Sequence, residues 1–319
     1  MNIEMNNSSG TQQNNVLPQV ITIMGPTASG KTALAIKLAK TIGGEIVSVD
    51  SALIYRGMDI GTAKPSPEEQ AGIKHWLIDI LEPDNAYSVA EFCQDAVECI
   101  EDILRRGKVP ILTGGTMMYF NGLIKGLSNL PVADAKTRAQ IQLFIEEHGL
   151  QAAHEKLSDI DPESGLRIHE NDPQRIMRAL EVYALTGKTI TALQGIKPAP
   201  LPYEFLQFSL MPSDRALLHD RIALRFDLML QDNFEEEVKK LRTNKSLHID
   251  LPSIRSVGYR QMWQYLDGEF QFNEMREKGI IATRQLAKRQ ITWLRGWEGA
   301  RSLETGHSEN VELILQYIR

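Results

Sequence analysis

VITIMGPTASGKTALAIKLAKTIGG, Val20 to Gly44, decides the fold. Val20–Met24 is apolar and reads as a buried strand. Thr32–Thr41 carries helical spacing and stops at Gly43 and Gly44. Between them, Gly25-Pro26-Thr27-Ala28-Ser29-Gly30-Lys31-Thr32 satisfies G-x-x-x-x-G-K-[ST]. Strand before and helix after is the context that gives this pattern meaning. Glycines turn backbone amides inward, and the helix N-terminus adds partial positive charge. Lys31 supplies a full charge, and the Thr32 hydroxyl suits a magnesium ion. A chance glycine-rich turn is the weaker reading. The loop specifies a diphosphate or triphosphate, not what that group is attached to.

Working outward, short apolar runs alternate with helical stretches, the pattern of a parallel α/β sheet. Glu45–Asp50, His75–Ile80, Val109–Thr113 and Phe205–Met211 read as further strands. Ser88 and Glu91 form a capping box that opens a helix ending at Gly107. From about Gly122 the pattern turns helical, with Asp134–Glu147, Leu150–Leu157 and Asp172–Thr186. Asp172 and Pro173 start the last of these, and Gly187 stops it. A proline-rich loop, Lys197–Pro202, returns the chain to the sheet, and beyond Ser213 the chain reads almost wholly as helix. The expectation is a P-loop NTPase-like parallel sheet flanked by helices (residues 19–121 and 203–319), with a helical C-terminal region. Residues 122–202 form a mainly helical insertion domain, and residues 1–18, rich in Asn, Ser and Gln, read as a disordered tail rather than a signal peptide.

With 319 residues the chain can bury a sizeable core. No run approaches the roughly 18 apolar residues of a membrane span. Cys93 and Cys99 point to different helix faces, so no mutual disulfide is expected, and a reducing, cytoplasmic setting fits. The histidines show no zinc-ligand spacing. Net charge is −6, which alone argues against nucleic acid, but Arg255–Arg301 holds nine basic and five acidic residues, leaving +4 there. A basic surface on the C-terminal third is therefore expected.

Asp50 closes the second strand, at the edge where parallel sheets gather ligands. From position alone it is a general base, a magnesium ligand or an N-cap. Ser51–Pro65 is too irregular for a core helix and reads as a functional loop. After Val109–Thr113 a hydrolytic NTPase would carry an acid; this chain continues Gly114-Gly115-Thr116. These glycines suit close approach of a substrate to backbone, and Thr116 adds a hydroxyl. Arg175 and Arg178 share a helix face as RNA contacts or as a solvated face paired with Glu181. Trp293, among Lys288, Arg289 and Arg295, is by residue type more often core than a stacking platform. Arg221 and Arg225, with Asp220 and Asp227 nearby, also admit an ion-pair reading. An ATP-dependent kinase shares the loop but does not account for the insertion or the basic helices, and a nucleotide-driven RNA-binding switch needs a hydrolysis or sensing acid that is not found after Val109–Thr113.

The segments GPTASGKT (Gly25–Thr32), SVDSALIYRGMDIGTAKP (Ser48–Pro65), HWLID (His75–Asp79), LTGGTMMYF (Leu112–Phe120), DPQRIMRALEVY (Asp172–Tyr183), RSVGYRQMWQYLDG (Arg255–Gly268) and TRQLAKRQITWLR (Thr283–Arg295) resemble the bacterial tRNA dimethylallyltransferases, the isopentenyl-tRNA transferase family. They span the chain apart from its N-terminal tail. The resemblance implies that Gly25–Thr32 holds the diphosphate of dimethylallyl diphosphate with Mg2+ at Thr32. It implies an acceptor amine, N6 of the adenosine 3′ of the anticodon, with Asp50 as its base and Lys31, Thr32, Thr116 and Arg225 as further catalytic groups. Contacts to the anticodon stem-loop of tRNA would come from Asp50, Ser51, Ala52, Leu53, Thr116 and Arg138. Others would come from Gln174, Arg175, Ile176, Met177 and Arg178, and from Arg255, Ser256, Val257, Gly258, Tyr259 and Arg260. The last group would be Lys288, Arg289, Gln290, Ile291, Thr292, Trp293, Leu294 and Arg295. A monomer without membrane association is expected.

Overall fold

A computed structural model describes residues 16–196 and 199–319. Most of the expected tail and the start of the Lys197–Pro202 loop lie outside the described residues. β1 (Gln19–Met24) leads through the glycine loop into α1 (Lys31–Ile42), which a left-handed Gly43 ends. β2 (Glu45–Val49), β3 (His75–Trp76), α2 (Val89–Arg105), β4 (Pro110–Gly114) and α3 (Met117–Lys125) follow. The capping box that opens α2 is present, with Ser88 N donating to Glu91 at 2.7 Å and Glu91 N donating to Ser88 Oγ at 3.2 Å. The chain divides into two compact units within α3: one runs up to Asn121 and resumes at Pro202–Arg319, the other is Gly122–Leu201.

The second unit holds α4 (Ala135–Ile160), α5 (Pro162–Arg167), α6 (Pro173–Thr186) and α7 (Ile190–Gln194). Gly149, at φ 87°, breaks α4 into the two stretches expected from sequence. Asp172 caps α6 through Arg175 N at 3.1 Å, and Gly187 at φ 66° stops it. In the first unit come β5 (Glu204–Met211), α8 (Arg215–Gln231), α9 (Phe234–Arg242), α10 (Tyr259–Leu266), α11 (Phe272–Arg295), β6 (Arg301–Glu304) and α12 (Asn310–Leu315).

The sheet order is β3-β2-β4-β1-β5-β6, parallel throughout. Every residue of β2 and β4 is buried, as expected of inner strands covered on both faces. Two strands depart from expectation. β3 is two residues long rather than His75–Ile80, because Leu77 (φ 60°) and Asp79 (φ 55°) leave extended geometry. The segment instead donates Asp79 N and Ile80 N to the carbonyls of Leu53 and Ile54, bracing the Ser51–Pro65 loop. β6 lay unseen in a stretch read as helix. Its four residues alternate exposed and buried only weakly, and β5 supplies its pairing.

Glu45 opens β2 with its side chain 3% exposed. It meets Arg106 at 2.6 Å, Lys108 at 2.7 Å and Trp76 Nε1 at 2.9 Å. The Arg106 guanidinium, with Lys108 and Trp76, holds this carboxyl well below the usual range. The depressed value means the pair stabilises the fold above about pH 4.5, and that contribution drains away as pH falls further. Glu45→Ala leaves Trp76 Nε1 and Lys108 without this partner and Arg106 with Asp102 alone, so urea unfolding at neutral pH is expected to show a loss of about 2 kcal/mol. The gap between the two proteins should narrow toward pH 3. No helix among the described residues is long and apolar enough to cross a membrane.

Candidate active site

The phosphate loop is shaped by its own backbone and clamped from outside. Gly25 N donates to Gly114 O at 3.2 Å, and a side chain at Gly25 would come within 2.8 Å of Ser29 Oγ. Ala28 (φ 61°) and Gly30 (φ 82°) are left-handed, which curls the loop before α1. Lys31 Nζ donates to Pro26 O at 3.3 Å. Burial pushes Lys31 down to about 8; the field of Asp50 opposes this shift and that of Arg225 adds to it. Burial likewise lowers Arg225, opposed by Asp50 and Glu69. Lys31, Asp50 and Arg225, distant in sequence, therefore share one field.

All three line a single cavity in the first unit, together with Thr27, Ala28 and Thr32. The same lining includes the apolar side chains of Leu53, Ile78, Ile222, Phe226, Met229 and Leu286. Cationic and hydrocarbon side chains thus line one space, with Arg225 on the same helix as Ile222, Phe226 and Met229. Asp50 Oδ1 accepts Ala52 N at 2.9 Å, and Thr116 Oγ1 accepts Ser51 N at 3.1 Å. Arg225 donates to Thr62 O at 3.3 Å, while Asp227 is taken by Arg276 at 2.5 Å and is not its partner. Ser29 Oγ, Ser48 Oγ and His75 Nε2 are buried with no hydrogen-bond partner, and the last two face the cavity.

Gly114, which ends β4, and Gly115 both have a packing role. A Cβ on Gly114 would lie 2.0 Å from Val49 O, and one on Gly115 would lie 2.3 Å from Gln290 Nε2. They admit β2 and α11, and Gly114 also lines the cavity. The loop Ser51–Pro65 is held as firmly. Glu237 accepts the amides of Asp59, Ile60 and Gly61 at 2.9, 2.7 and 3.2 Å and also the Tyr259 hydroxyl. Lys64 donates to Tyr55 O at 2.7 Å, to Asp59 at 2.6 Å and to Asp79. No local sequence signal marks Glu237, which lies 176 residues from Gly61.

The segments expected to meet RNA separate into outward and inward side chains. Arg255, Arg260, Lys288, Arg289, Thr292 and Arg295 are exposed. Trp293 is 43% exposed, correcting the core reading of its residue type. Ser256 and Val257 line the cavity. Gly258 is buried, and Tyr259, Gln290, Ile291 and Leu294 are 8% exposed or less and pack inward. In the second unit, Ile176 is fully buried, so its side chain cannot reach a surface ligand. Arg138 and Arg178 both bind the buried Glu181, at 2.9 and 2.6 Å, and Arg178 also holds Pro131 O at 2.7 Å. The Glu181 pairing is thus observed. Gln174 and Arg175 are exposed and Met177 is half-buried.

A model of the family described as IPP transferase matches residues 53–297. The chain belongs to this family. Among solved structures it is similar to the full-length tRNA isopentenylpyrophosphate transferase of Bacillus halodurans, with 37% identity over 93% of both chains and a TM-score of 0.68. It is also similar to the tRNA delta(2)-isopentenylpyrophosphate transferase of Staphylococcus epidermidis, with 36% identity, 94% of this chain and 96% of that one, and a TM-score of 0.66. A eukaryotic dimethylallyltransferase captured acting on tRNA is 27% identical over 94% of this chain and 77% of that chain, at a TM-score of 0.77. The family match begins just after Asp50, and the Bacillus and Staphylococcus relatives carry the likeness over nearly the whole chain. This IPP transferase family member is a transferase with the parallel α/β architecture expected from its sequence.

Proposed function

We propose that the enzyme moves a dimethylallyl group from dimethylallyl diphosphate to N6 of the adenosine immediately 3′ of the anticodon in tRNA, releasing pyrophosphate. The observation that carries this reading is one cavity lined by Lys31, Arg225 and Asp50 and by the apolar side chains of Leu53, Ile222, Phe226, Met229 and Leu286. The adenine amine is a weak nucleophile because its lone pair is delocalised into the ring. The new bond joins N6 to the allylic carbon as the carbon–oxygen bond to diphosphate breaks. Lys31, Arg225 and loop amides take the charge that builds on the leaving pyrophosphate. The Asp50 carboxylate takes the N6 proton. The Thr116 hydroxyl orders the start of the loop that follows Asp50. The target base leaves the anticodon stack to reach this pocket.

Thr32 faces the cavity beside Lys31, and the orphaned Ser29 hydroxyl lies in the same loop. This all-oxygen setting suits Mg2+, which often takes one or two protein ligands and completes its shell with phosphate and water. When bound, the ion would neutralise diphosphate charge. We assign a cytoplasmic setting and a monomer, in keeping with a tRNA substrate and the family.

Carbon-14 dimethylallyl diphosphate and γ-labelled ATP, each offered with anticodon stem-loop RNA, test the reading. Label is expected in RNA from the prenyl donor alone; label from ATP alone would defeat it. RNA docking is assigned to the outer cations of α10 and α11 and the segment before α10. With about five phosphate contacts, affinity for the stem-loop should fall about 10²-fold between 50 and 200 mM salt. A flat salt dependence, measured by fluorescence anisotropy, would remove those cations from the interface.

A further inference from the structure

The family resemblance puts Gln290 among residues expected to touch RNA, yet its side chain points inward, to the lining of the cavity and not to the outer face of α11. It is 8% exposed and sits on the inward face of α11 with Ala287, Ile291 and Leu294. Its Oε1 accepts Thr27 N at 2.9 Å, in the phosphate loop. Its Nε2 donates to Gly115 O at 2.9 Å, in the turn that carries Thr116. One amide thus uses its acceptor on the donor-binding loop and its donor on the turn beside Asp50. The absence of a Cβ at Gly115 is what lets it approach, since that atom would stand 2.3 Å from Nε2. Gly25 N, bonded to Gly114 O at 3.2 Å, is the direct tie between the same two loops. An amide in a core is costly unless both ends are satisfied, and here both are.

We propose that Gln290 is a positioning residue that locks the phosphate loop to the Gly115–Thr116 turn and so sets the distance between the allylic carbon and the acceptor amine. This inference rests on the prenyl-transfer reading. A helix that carries exposed Arg289 and Trp293 on its outer side carries this latch on its inner side. Misplacement of reacting groups by about 1 Å costs on the order of 10²-fold in rate. The loss therefore falls on transfer between bound substrates and not on RNA affinity.

Gln290→Met and Gln290→Glu test this in the full chain, with single-turnover transfer at saturating donor and stem-loop RNA, RNA affinity, and hydrogen exchange at the Thr27 amide. Both variants are expected to transfer about 10- to 100-fold more slowly, with RNA affinity within about twofold and thermal unfolding still cooperative. Gln290→Glu keeps the acceptor for Thr27 N but sets a carboxylate against Gly115 O. When protonated, that carboxyl regains a donor, so the rate deficit of this variant relative to the unsubstituted enzyme should shrink as pH falls from 8 to 5.5. A merely structural role would lower the unfolding temperature and leave the saturated single-turnover rate of the folded enzyme unchanged. Gln290→Met should also expose the Thr27 amide to faster exchange. Weakened RNA affinity with an unchanged saturated rate would make Gln290 an RNA contact and overturn the proposal, as would unchanged rates in both variants. If the unsubstituted enzyme transfers no prenyl group while Thr27 exchange still responds, the reaction reading fails and the latch between the two loops stands.

Discussion

Asp50→Asn lowers the single-turnover transfer rate by about 10²–10⁴-fold, the range a positioned general base contributes, while stem-loop affinity stays within about twofold. Asparagine is the informative substitution because it preserves the local fold. Asp50 Oδ1 accepts Ala52 N at 2.9 Å, and an amide oxygen can do the same. The turn that leads into Ser51, and the Ser51 N to Thr116 Oγ1 bond at 3.1 Å, survive the change. What is lost is the ability to take the proton that leaves N6 as the new bond forms. An unchanged single-turnover rate would show that Asp50 is only the cap of the Ala52 turn. A parallel loss of RNA affinity would make it a base-binding group and not a base.

Lys31→Ala lowers kcat/KM for dimethylallyl diphosphate by about 10²–10³-fold, the scale of removing one preorganised charge from a dry site, with a much smaller change in RNA affinity. The same residue sets a pH limb. Burial holds Lys31 at about 8 in the free protein, so its ammonium is lost as pH rises through that value. The donor kcat/KM is therefore expected to fall above pH 8 by about tenfold per unit. kcat at saturating donor should fall later, because a bound diphosphate stabilises the charged form. Lys31→Ala should abolish this alkaline limb. An alkaline limb of full size in the variant would assign it to another group, and equal loss of donor and RNA affinity would contradict the diphosphate role. The linkage to stability runs in the opposite sense. The unfolded lysine binds its proton more tightly than the folded one, so this group destabilises the fold below about pH 8 and releases that cost toward 10.5.

The parallel core was legible because its signals are local. Val20–Met24, the glycine loop and the Gly43 stop follow one another within a single strand–turn–helix, and each names its own geometry. The α2 capping box and the Asp172 cap were equally local. β6 was not legible, since four residues with little alternation become a strand only when β5 offers its edge. β3 was overread, because Leu77 and Asp79 take left-handed conformations that brace the neighbouring loop, and neither residue type announces this.

The candidate site divides along the same line. Sequence alone determined that a glycine-rich loop of the G-x-x-x-x-G-K-[ST] pattern joins the first strand to the first helix, that an acid stands at the end of the next strand, and that the C-terminal third concentrates positive charge. Each follows from residue type and spacing within a few positions. Tertiary structure decided which way side chains of the expected RNA segments point: Arg289 and Trp293 outward, Gln290, Ile291 and Leu294 inward. It decided that Gly114 and Gly115 make room for Val49 and Gln290, and that Glu181 holds Arg138 and Arg178. It also brought Arg225, Phe226 and Met229 to the cavity that Lys31 lines, nearly 200 residues earlier in the chain. Such pairings depend on which surfaces the sheet and helices bury together, and that is settled only when the whole core packs.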